Sequence, residues 1–373
     1  MKVALIARST LHKVYGGITV QLVETARHLR QIGVDASICL TNENIDYDQF
    51  DLLHFFDITR PANILYHIKR TNKPFVLTPI LIDYSEYDKQ HRKGLSGFVF
   101  RLSGQHQNEY IKAVSRWLLK KDGLQSKNYL WKGQYRSMCH ILQQATMILP
   151  NSAREYAELS KLYSVNKPFA IIPNGINETI FQPDPSVKKD ETLVLCAARI
   201  EGLKNQLNLI KALNNTKYRL VIAGEASPNQ QAYYRLCRQT AADNISFTGR
   251  LSQEELLHYY KSAKVHVLPS WFETCGLSSL EAGAMGCNIV ITNKGFTKDY
   301  FGNNAFYCDP GNPVSIYEAI TKASNAPLQT ALQEEVLANY TWQQAAIQTL
   351  EAYNKVLSTN RFSKALLHKI HEQ

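Results

Sequence analysis

The stretch VHVLPSWFETCGLSSLEAGAMG, residues 265–286, carries the clearest indication of the fold. Its first part, VHVLP, is a short apolar run that ends at a proline, which predicts a buried strand. Its second half has the composition of a helix, because Gly276 can bend the chain and Ser278 and Ser279 are suited to cap a helix. The sequence therefore predicts the order strand, loop, helix.

Two carboxylates flank this predicted helix start. Glu273 falls in the loop, and Glu281 falls about one turn into the helix. Eight helical residues span about 12 Å, so a compact ligand would not contact both carboxylates but a long one could. The first amides of a helix have no partner within it and attract anions. The pattern favours an elongated ligand with an anionic middle.

Similar apolar runs alternate with helical patterns along almost the whole chain. The first series of runs is VALIA (3–7), DASICL (35–40), LLHFF (52–56), FVLTP (75–79) and MILP (147–150). The second series is LVLCAA (193–198), YRLVIAG (218–224), ISFTG (245–249), VHVLP (265–269) and NIVIT (288–292). This alternation is typical of parallel sheets covered by helices, so the fold class is α/β with two doubly wound domains.

The predicted domain boundaries follow from these two series. The first domain covers residues 1–182, the second covers 183–345, and a helical tail, 346–373, is expected to pack back on the first. The stretch FQPDPSVKKDET (181–192), with two prolines and mixed charge, is the expected linker. Ligands of doubly wound sheets bind at the carboxyl ends of the strands. Two such domains that face each other would form a cleft.

The composition is that of a globular protein without secretion or membrane-spanning signals. Of the 373 residues, 45% are hydrophobic and 20% are charged. The seven cysteines form no CxxC pair, which predicts reduced thiols and a cytoplasmic protein. The first apolar run is shorter than a signal-peptide core. No run approaches the ~20 apolar residues that cross a membrane.

The net charge of +10 is concentrated between residues 89 and 140, where eleven Lys or Arg residues stand against two acidic ones. Aromatic residues are interleaved with these cations. A solvated basic face and a patch that contacts an anionic membrane surface both fit this pattern. A nucleic-acid site is less well supported, because no recognised motif accompanies the charge, and no nucleic-acid partner is expected.

Polar and glycine residues near predicted strand ends are candidate ligand contacts. Arg199 directly follows a strand and Lys204 lies five residues further on, which suits a diphosphate but also fits two solvated cations. Gly16-Gly17, between a strand and a helix, allows a close approach to a ligand or a tight turn. Asn174 precedes a glycine and indicates a sharp turn.

The acidic stretch after LTP (77–79) is another candidate. Asp83, Glu86 and Asp88 could bind hydroxyl groups or a cation, or could form an ordinary loop that balances the basic stretch after it. The eleven histidines are scattered, so no metal site is expected.

Taken in order, these motifs resemble those of the retaining glycosyltransferases of family 4. The resemblance rests on Gly16-Gly17, PNGI (173–176), Arg199 with Lys204, FTGRL (247–251), and Glu273 and Glu281 with seven residues between them. It covers nearly the whole chain. It implies the GT-B fold, in which two Rossmann-like domains face each other across a cleft.

The resemblance also implies a role for each motif in binding a nucleotide diphosphate sugar, the only co-substrate expected. Glu281 would hold the ribose, Glu273 the transferred sugar, and Arg199 and Lys204 the diphosphate. The remaining donor contacts would come from Gly16, Gly17, Asn174, Arg250, Leu251, Gly276, Leu277 and Ser278.

The family transfers a sugar to a hydroxyl group with retention, which implies an enzyme that needs neither a metal nor a protein nucleophile. Cell-surface polysaccharide and lipopolysaccharide synthesis, with a glycan or lipid-linked acceptor, is the expected context, and the basic stretch suggests the inner membrane face. A sugar-nucleotide epimerase and a non-catalytic binding protein remain alternatives.

The sequence departs from the family near Ile80, where many members carry a histidine that contacts the sugar. His12, Asp83 and Glu86 are the candidates for that role or for acceptor contacts.

Overall fold

The structure, a computed structural model, describes residues 1–11, 16–91, 104–118 and 125–371. Within this part of the chain the strands form two sheets. The first sheet contains β1 (Lys2–Ala7), β2 (Asp35–Leu40), β3 (Leu52–Phe56), β4 (Phe75–Thr78) and β5 (Met147–Ile148). The second contains β6 (Asp190–Ala197), β7 (Arg219–Ala223), β8 (Ile245–Gly249), β9 (Ala263–Leu268), β10 (Asn288–Thr292) and β11 (Phe306–Cys308).

Every pairing between these strands is parallel. The strand orders are β2-β1-β3-β4-β5 and β11-β10-β9-β6-β7-β8. The second order is that of a dinucleotide-binding Rossmann sheet, and the first that of a flavodoxin-like sheet. The predicted α/β class with two Rossmann-like parallel sheets is confirmed.

Helices connect the strands. They span Gly17–Gln31, Pro61–Ile68, Ser85–His91, Gln105–Leu118, Asn128–Gln144, Ala153–Tyr163, Gln206–Leu213, Gln231–Thr240, Gln253–Ser262, Leu277–Ala284, Lys298–Phe301, Pro313–Asn325, Thr330–Asn339 and Trp342–His371. The 3₁₀ turns are Tyr47–Gln49, Gly202–Lys204 and Pro228–Gln230.

The centre of the second sheet is completely enclosed. Every residue of β9 and of β10 is buried. Their registers pair Val265 with Asn288 and Leu268 with Ile291. Because helices cover both faces of a parallel sheet, its central strands are buried along their whole length rather than at alternate positions.

Several predicted elements differ in detail from the structure. Three residues of the predicted linker, 190–192, belong to β6. β5 has only two residues, and β11 was not predicted. Lys204 closes a 3₁₀ turn, and the following α-helix begins at Gln206.

The described residues divide into two compact units. The first takes those up to Leu81, those from 104 to 173, and those from Trp342 onward. The second takes residues 82–91 and Asn174–Thr341. In the first unit, the Tyr353 hydroxyl of the last helix lies 2.7 Å from His54 Nδ1 on β3.

Candidate functional site

The candidate site of the second unit lies where its strand order reverses, between β6 and β9. The loops after these two neighbouring strands run beside each other, because the Trp271 amide donates to the Leu203 carbonyl at 2.9 Å. The Asn205 side chain also donates to the Pro269 carbonyl at 3.0 Å. Such a switch point at the carboxyl ends of the strands is where doubly wound sheets bind ligands.

The loop after β6 carries the two predicted cations. The Arg199 guanidinium donates to Glu201 at 3.0 Å, and the Gln206 side chain donates to the Arg199 carbonyl at 2.8 Å. The Lys204 ammonium donates to Glu273 Oε2 at 2.7 Å, and the two side chains are only 20% and 10% exposed. The structure thus brings Lys204 and Glu273, which are 69 residues apart, into one ion pair.

The loop after β9 fixes Glu273 by its backbone and its side chain. Ser270 Oγ donates to Glu273 Oε2 at 3.0 Å. The Phe296 amide donates to the Glu273 carbonyl at 2.9 Å. Glu273 also forms an isolated parallel bridge with Gly295. The carboxylate therefore has a defined position next to a cation.

The helix that follows begins at Leu277, which corrects the predicted serine cap. Gly276 is its N-cap in a left-handed conformation (φ 80°), and no side chain caps the helix. Ser278 and Ser279 lie in its first turn, and Ser279 Oγ is 3.3 Å from His266 Nδ1. Glycine adopts a positive φ without strain, so the backbone turns into the helix at Gly276 and no serine is needed.

Glu281 lies one turn into this helix, as predicted. Tyr260 donates a hydrogen bond of 2.9 Å to Glu281 Oε2. Burial raises the pKa of Glu281 to about 7, and the Tyr260 hydrogen bond opposes the rise. A carboxylate held in this way has further lone pairs with which it can accept hydrogen bonds from a ligand.

Asn174 lies beside the start of the same helix. Its backbone amide donates to the Tyr300 hydroxyl at 3.1 Å, and its side chain opposes the rise in the pKa of the Cys275 thiol. The pKa of Cys275 is raised by burial and by the nearby Glu273. Among the described residues, the buried Asn174 Oδ1 has no hydrogen-bond partner.

Two further candidates follow β8. Arg250 is exposed and Leu251 is half-buried. Leu251 packs against the hydrophobic core cluster that also holds Leu280 and Ile291.

The acidic stretch belongs to the second unit, although residues before and after it belong to the first. Glu86 pairs with Lys294 at 3.4 Å. The Asp83 side chain accepts a hydrogen bond of 2.7 Å from the Ser85 amide, so it closes a local turn.

The glycine pair lies in the first unit. Gly16 is extended (φ −176°), and Gly17 begins a helix. His12 lies outside the described residues, as do residues 92–103 and 119–124 of the basic stretch.

Several side chains of the site were not predicted. Glu201 and Ser270 are close in sequence to their partners, so short spacing could have indicated them. Tyr260 and Lys294 contact Glu281 and Glu86 only through the fold, and nothing local indicates them. In the described part of the chain, no group of three or more His, Cys, Asp or Glu residues could hold a metal ion.

Residues 177–339 match the family model "Glycosyl transferases group 1". Among curated proteins, an uncharacterized glycosyltransferase of Methanocaldococcus jannaschii is 28% identical over 208 residues, 49% of this chain and 53% of that protein. The D-inositol 3-phosphate glycosyltransferase of Acidothermus cellulolyticus is 24% identical over 249 residues, 59% of this chain and 56% of that protein. The aligned region thus spans about half the length of these relatives.

Solved structures share the fold over nearly the whole chain. Sucrose-phosphate synthase of Thermosynechococcus elongatus has a TM-score of 0.75 at 17% identity and covers 96% of this chain and 99% of its own. HepE of Anabaena, solved with UDP and glucose, has a TM-score of 0.68 at 14% identity and covers 95% and 99%. The chain therefore has the GT-B type of fold, and its residues 177–339 are similar to the glycosyl transferases of group 1.

Proposed function

We propose that this protein is a retaining glycosyltransferase of family 4, which transfers a hexose from a nucleotide diphosphate sugar to a hydroxyl group. One observation carries the proposal: the Lys204–Glu273 ion pair lies at the switch point of a Rossmann sheet, next to a helix start, within the matched segment. Glycosyltransferases among the curated relatives support this reading.

The anionic middle of the donor would bind between two cations and the helix start. Arg199 and Lys204 follow β6, and the amides of Leu277 and Ser278 open the helix after β9. The two cations already have carboxylate partners, Glu201 and Glu273. Entry of the diphosphate would therefore place an anion beside ammonium and guanidinium groups that stay hydrogen-bonded to protein, which keeps them oriented.

The two ends of the donor would reach the two carboxylates. Glu281, oriented by Tyr260, would accept hydrogen bonds from the ribose hydroxyls. Glu273 and the backbone at Gly276 would contact the transferred sugar. The backbone at Arg250 and Leu251 would contact the base. Additional donor contacts are proposed for Asn174, Gly16 and Gly17, and sugar or acceptor contacts for Asp83, Glu86 and His12.

The chemistry follows from where charge develops. The bond between the anomeric carbon and the phosphate oxygen breaks, so negative charge grows on the diphosphate and positive charge on the sugar ring. Arg199, Lys204 and the helix amides stabilise the leaving diphosphate. The acceptor oxygen bonds to the anomeric carbon on the same face, and its proton passes to the departing phosphate oxygen. This step gives retention without a protein nucleophile.

The acceptor is proposed to be a glycan or a lipid-linked sugar of cell-surface polysaccharide or lipopolysaccharide synthesis. An O-antigen chain mannosyltransferase of Escherichia coli, 25% identical over 159 residues, supports this context. We place the reaction in the cytoplasm, at the inner face of the membrane.

Exposed apolar and basic side chains support contact with a membrane surface. Trp131 is 89% exposed and Leu118 is 67% exposed, and Lys127 and Arg136 are also exposed. No helix in the described ranges meets the length and apolarity that a membrane crossing requires. Flotation with vesicles that contain phosphatidylglycerol tests the contact. Trp131→Ser should weaken it, and Phe169→Ser, at another exposed aromatic residue, should not.

Donor binding is tested by thermal shift with UDP, GDP, ADP and their hexose conjugates. A bound nucleotide at 100 times its Kd stabilises the protein by about 2.7 kcal/mol. Arg199→Ala and Glu281→Ala should abolish the shift. Arg219→Ala is the matched control, because Arg219 also pairs with a carboxylate but lies at the amino end of its strand, β7. No shift with any nucleotide would contradict the proposal.

Turnover separates transfer from the alternatives. Nucleoside diphosphate release that requires an acceptor supports a transferase, whereas a changed sugar without an acceptor indicates an epimerase. NMR of the product's anomeric configuration then tests retention.

A further inference from the structure

The segment from Ile82 to Asp88 is attached to the loops that carry the candidate donor site. The chain leaves β4 in the first unit and enters the second unit at Ile82. Its residues Glu86 and Tyr87 contact two different loops of the second unit. These contacts explain why a glycine occupies a position whose backbone conformation does not require one.

That glycine is Gly202, which lies between Arg199 and Lys204. Gly202 is not among the glycines with positive φ, so its backbone conformation is open to other residues. A Cβ built on it would lie 1.9 Å from the Tyr87 hydroxyl oxygen and 2.6 Å from Tyr87 Cζ. The absence of a side chain at Gly202 therefore makes room for the Tyr87 ring.

The second contact is made to the loop after β10. Glu86 pairs with Lys294 at 3.4 Å. The Lys294 carbonyl accepts the Glu273 amide at 3.4 Å, and the next residue, Gly295, forms the bridge with Glu273. One short segment thus contacts both the turn that ends at Lys204 and the loop that lies against Glu273.

We propose that Tyr87 is a positioning residue that fixes the turn Gly202–Lys204, and through it the Lys204 ammonium, for donor binding. The inference rests on the proposed function and adds to it. A displacement of the turn would misplace Lys204 relative to Glu273, and misplacements of about 1 Å cost up to about 100-fold in activity.

A double-mutant cycle tests the contact. In Gly202→Ala the new methyl group must displace the Tyr87 ring, whereas in Tyr87→Ala the ring is absent. Each single variant should weaken the Kd for UDP-glucose about tenfold or more. The double variant should be no weaker than either one, because both changes remove the same contact. Additive losses would overturn the proposal.

Gly104→Ala is the matched control, because a Cβ there meets nothing within 4 Å and Gly104 has no positive φ. It should bind UDP-glucose like the unsubstituted protein. The same binding measurements are made with GDP-mannose and ADP-glucose, so that three nucleotide sugars serve as probes.

Hydrogen exchange of the full-length protein provides a readout that does not depend on donor binding. Gly202→Ala should speed exchange in residues 82–88 about tenfold, since the segment loses its docking contact. An unchanged exchange rate in residues 82–88 would show that the Tyr87–Gly202 contact does not hold this segment in place. If the unsubstituted protein binds none of the three probes, the proposed function and the positioning role both fail, while the exchange data still report on the docking itself.

Discussion

At the scale of single residues, the buried Glu155 acts as a double acceptor in the first unit. Glu155 Oε1 accepts the Leu81 amide at 2.7 Å, and Oε2 accepts the Asn151 amide at 2.6 Å. Glu155→Gln would turn one acceptor into an NH₂ group that faces an N–H donor. We expect the free energy of unfolding to fall by about 1–3 kcal/mol at pH 5, where Glu155, like the glutamine that replaces it, is uncharged in the folded protein.

Urea unfolding of both variants and the unsubstituted protein measures this loss. Glu158→Gln, on the same helix but not fully buried, is the control and should stay within about 0.5 kcal/mol. Equal midpoints for Glu155→Gln and the control would show that the second acceptor oxygen contributes nothing.

The same scale shows what sequence reasoning can and cannot predict about the site. Arg199, Lys204, Glu273 and Glu281 could be chosen from residue type and position relative to strands. Their ion-pair and hydrogen-bond partners could not be chosen in this way. The ion pair between Lys204 and Glu273 and the hydrogen bond from Tyr260 to Glu281 arise only when β6, β9 and the helix after β9 are assembled. The roles of these residues in binding a donor remain predictions.

At the scale of elements, the loop after β10 supports the loop that carries Glu273. Gly295 has a φ of 90°, and a Cβ there would lie 2.1 Å from the Glu273 carbonyl oxygen. Gly295→Ala combines backbone strain with a clash against backbone. We expect it to cost at least about 2 kcal/mol of unfolding free energy and to speed exchange of the Phe296 amide.

Gly302→Ala distinguishes the cost of backbone strain from the cost of the clash. Gly302 also has a positive φ, 47°, but nothing lies within 4 Å of a Cβ built there. At φ 47° and ψ −122°, this control should lose only the cost of a sparsely populated backbone conformation, about 1–3 kcal/mol. A loss at Gly295 that is no larger than the loss at Gly302 would argue against the clash.

Element prediction succeeded where strands are long and apolar. ISFTG and NIVIT match β8 and β10 residue for residue. β11 has three residues, too few for a periodic signal. The serine cap was wrong because Gly276, in a left-handed conformation, begins the helix instead. Local composition thus predicted the elements, but backbone conformation decided where this helix starts.

At the scale of the whole molecule, the two parallel sheets were predictable from the alternation of apolar runs and helical patterns. The assignment of Ile82–Asp88 to the second unit was not predictable. That segment follows β4 of the first unit in sequence and contacts Gly202 and Lys294, more than 100 residues away, in the second. Contacts over such separations leave no local signal.

Stability against pH depends on buried groups in both units. Burial lowers the pKa of His54 and His266 to about 3 and that of His67 to about 4, from 6.5. Between pH 6.5 and about 4 the unfolded chain therefore binds three protons that the folded protein does not. Burial raises the pKa of Glu155 and Glu281 from 4.5 to about 7. Between pH 7 and 4.5 the folded protein therefore binds two protons that the unfolded chain does not.

These opposing contributions predict a profile with three parts. From pH 7 to 6.5 stability rises as pH falls, because only the carboxylates titrate. From 6.5 to 4.5, three histidines act against two carboxylates, and stability falls by about 1.4 kcal/mol per pH unit. Between pH 4.5 and about 4 the carboxylates are protonated in both states, so all three histidines act unopposed and the loss steepens to about 4 kcal/mol per pH unit.

Urea midpoints between pH 4 and 8 measure the profile, and the double variant Glu155→Gln/Glu281→Gln tests its cause. Without the two carboxylates, the histidines act unopposed from pH 6.5 downward. The double variant should therefore lose the rise above pH 6.5 and fall about three times as steeply between 6.5 and 4.5. The slope of the unfolding free energy against pH is diagnostic. Its absolute value is not, because Glu155→Gln also removes a hydrogen bond. Parallel profiles for the two proteins would show that the buried carboxylates do not oppose the histidines.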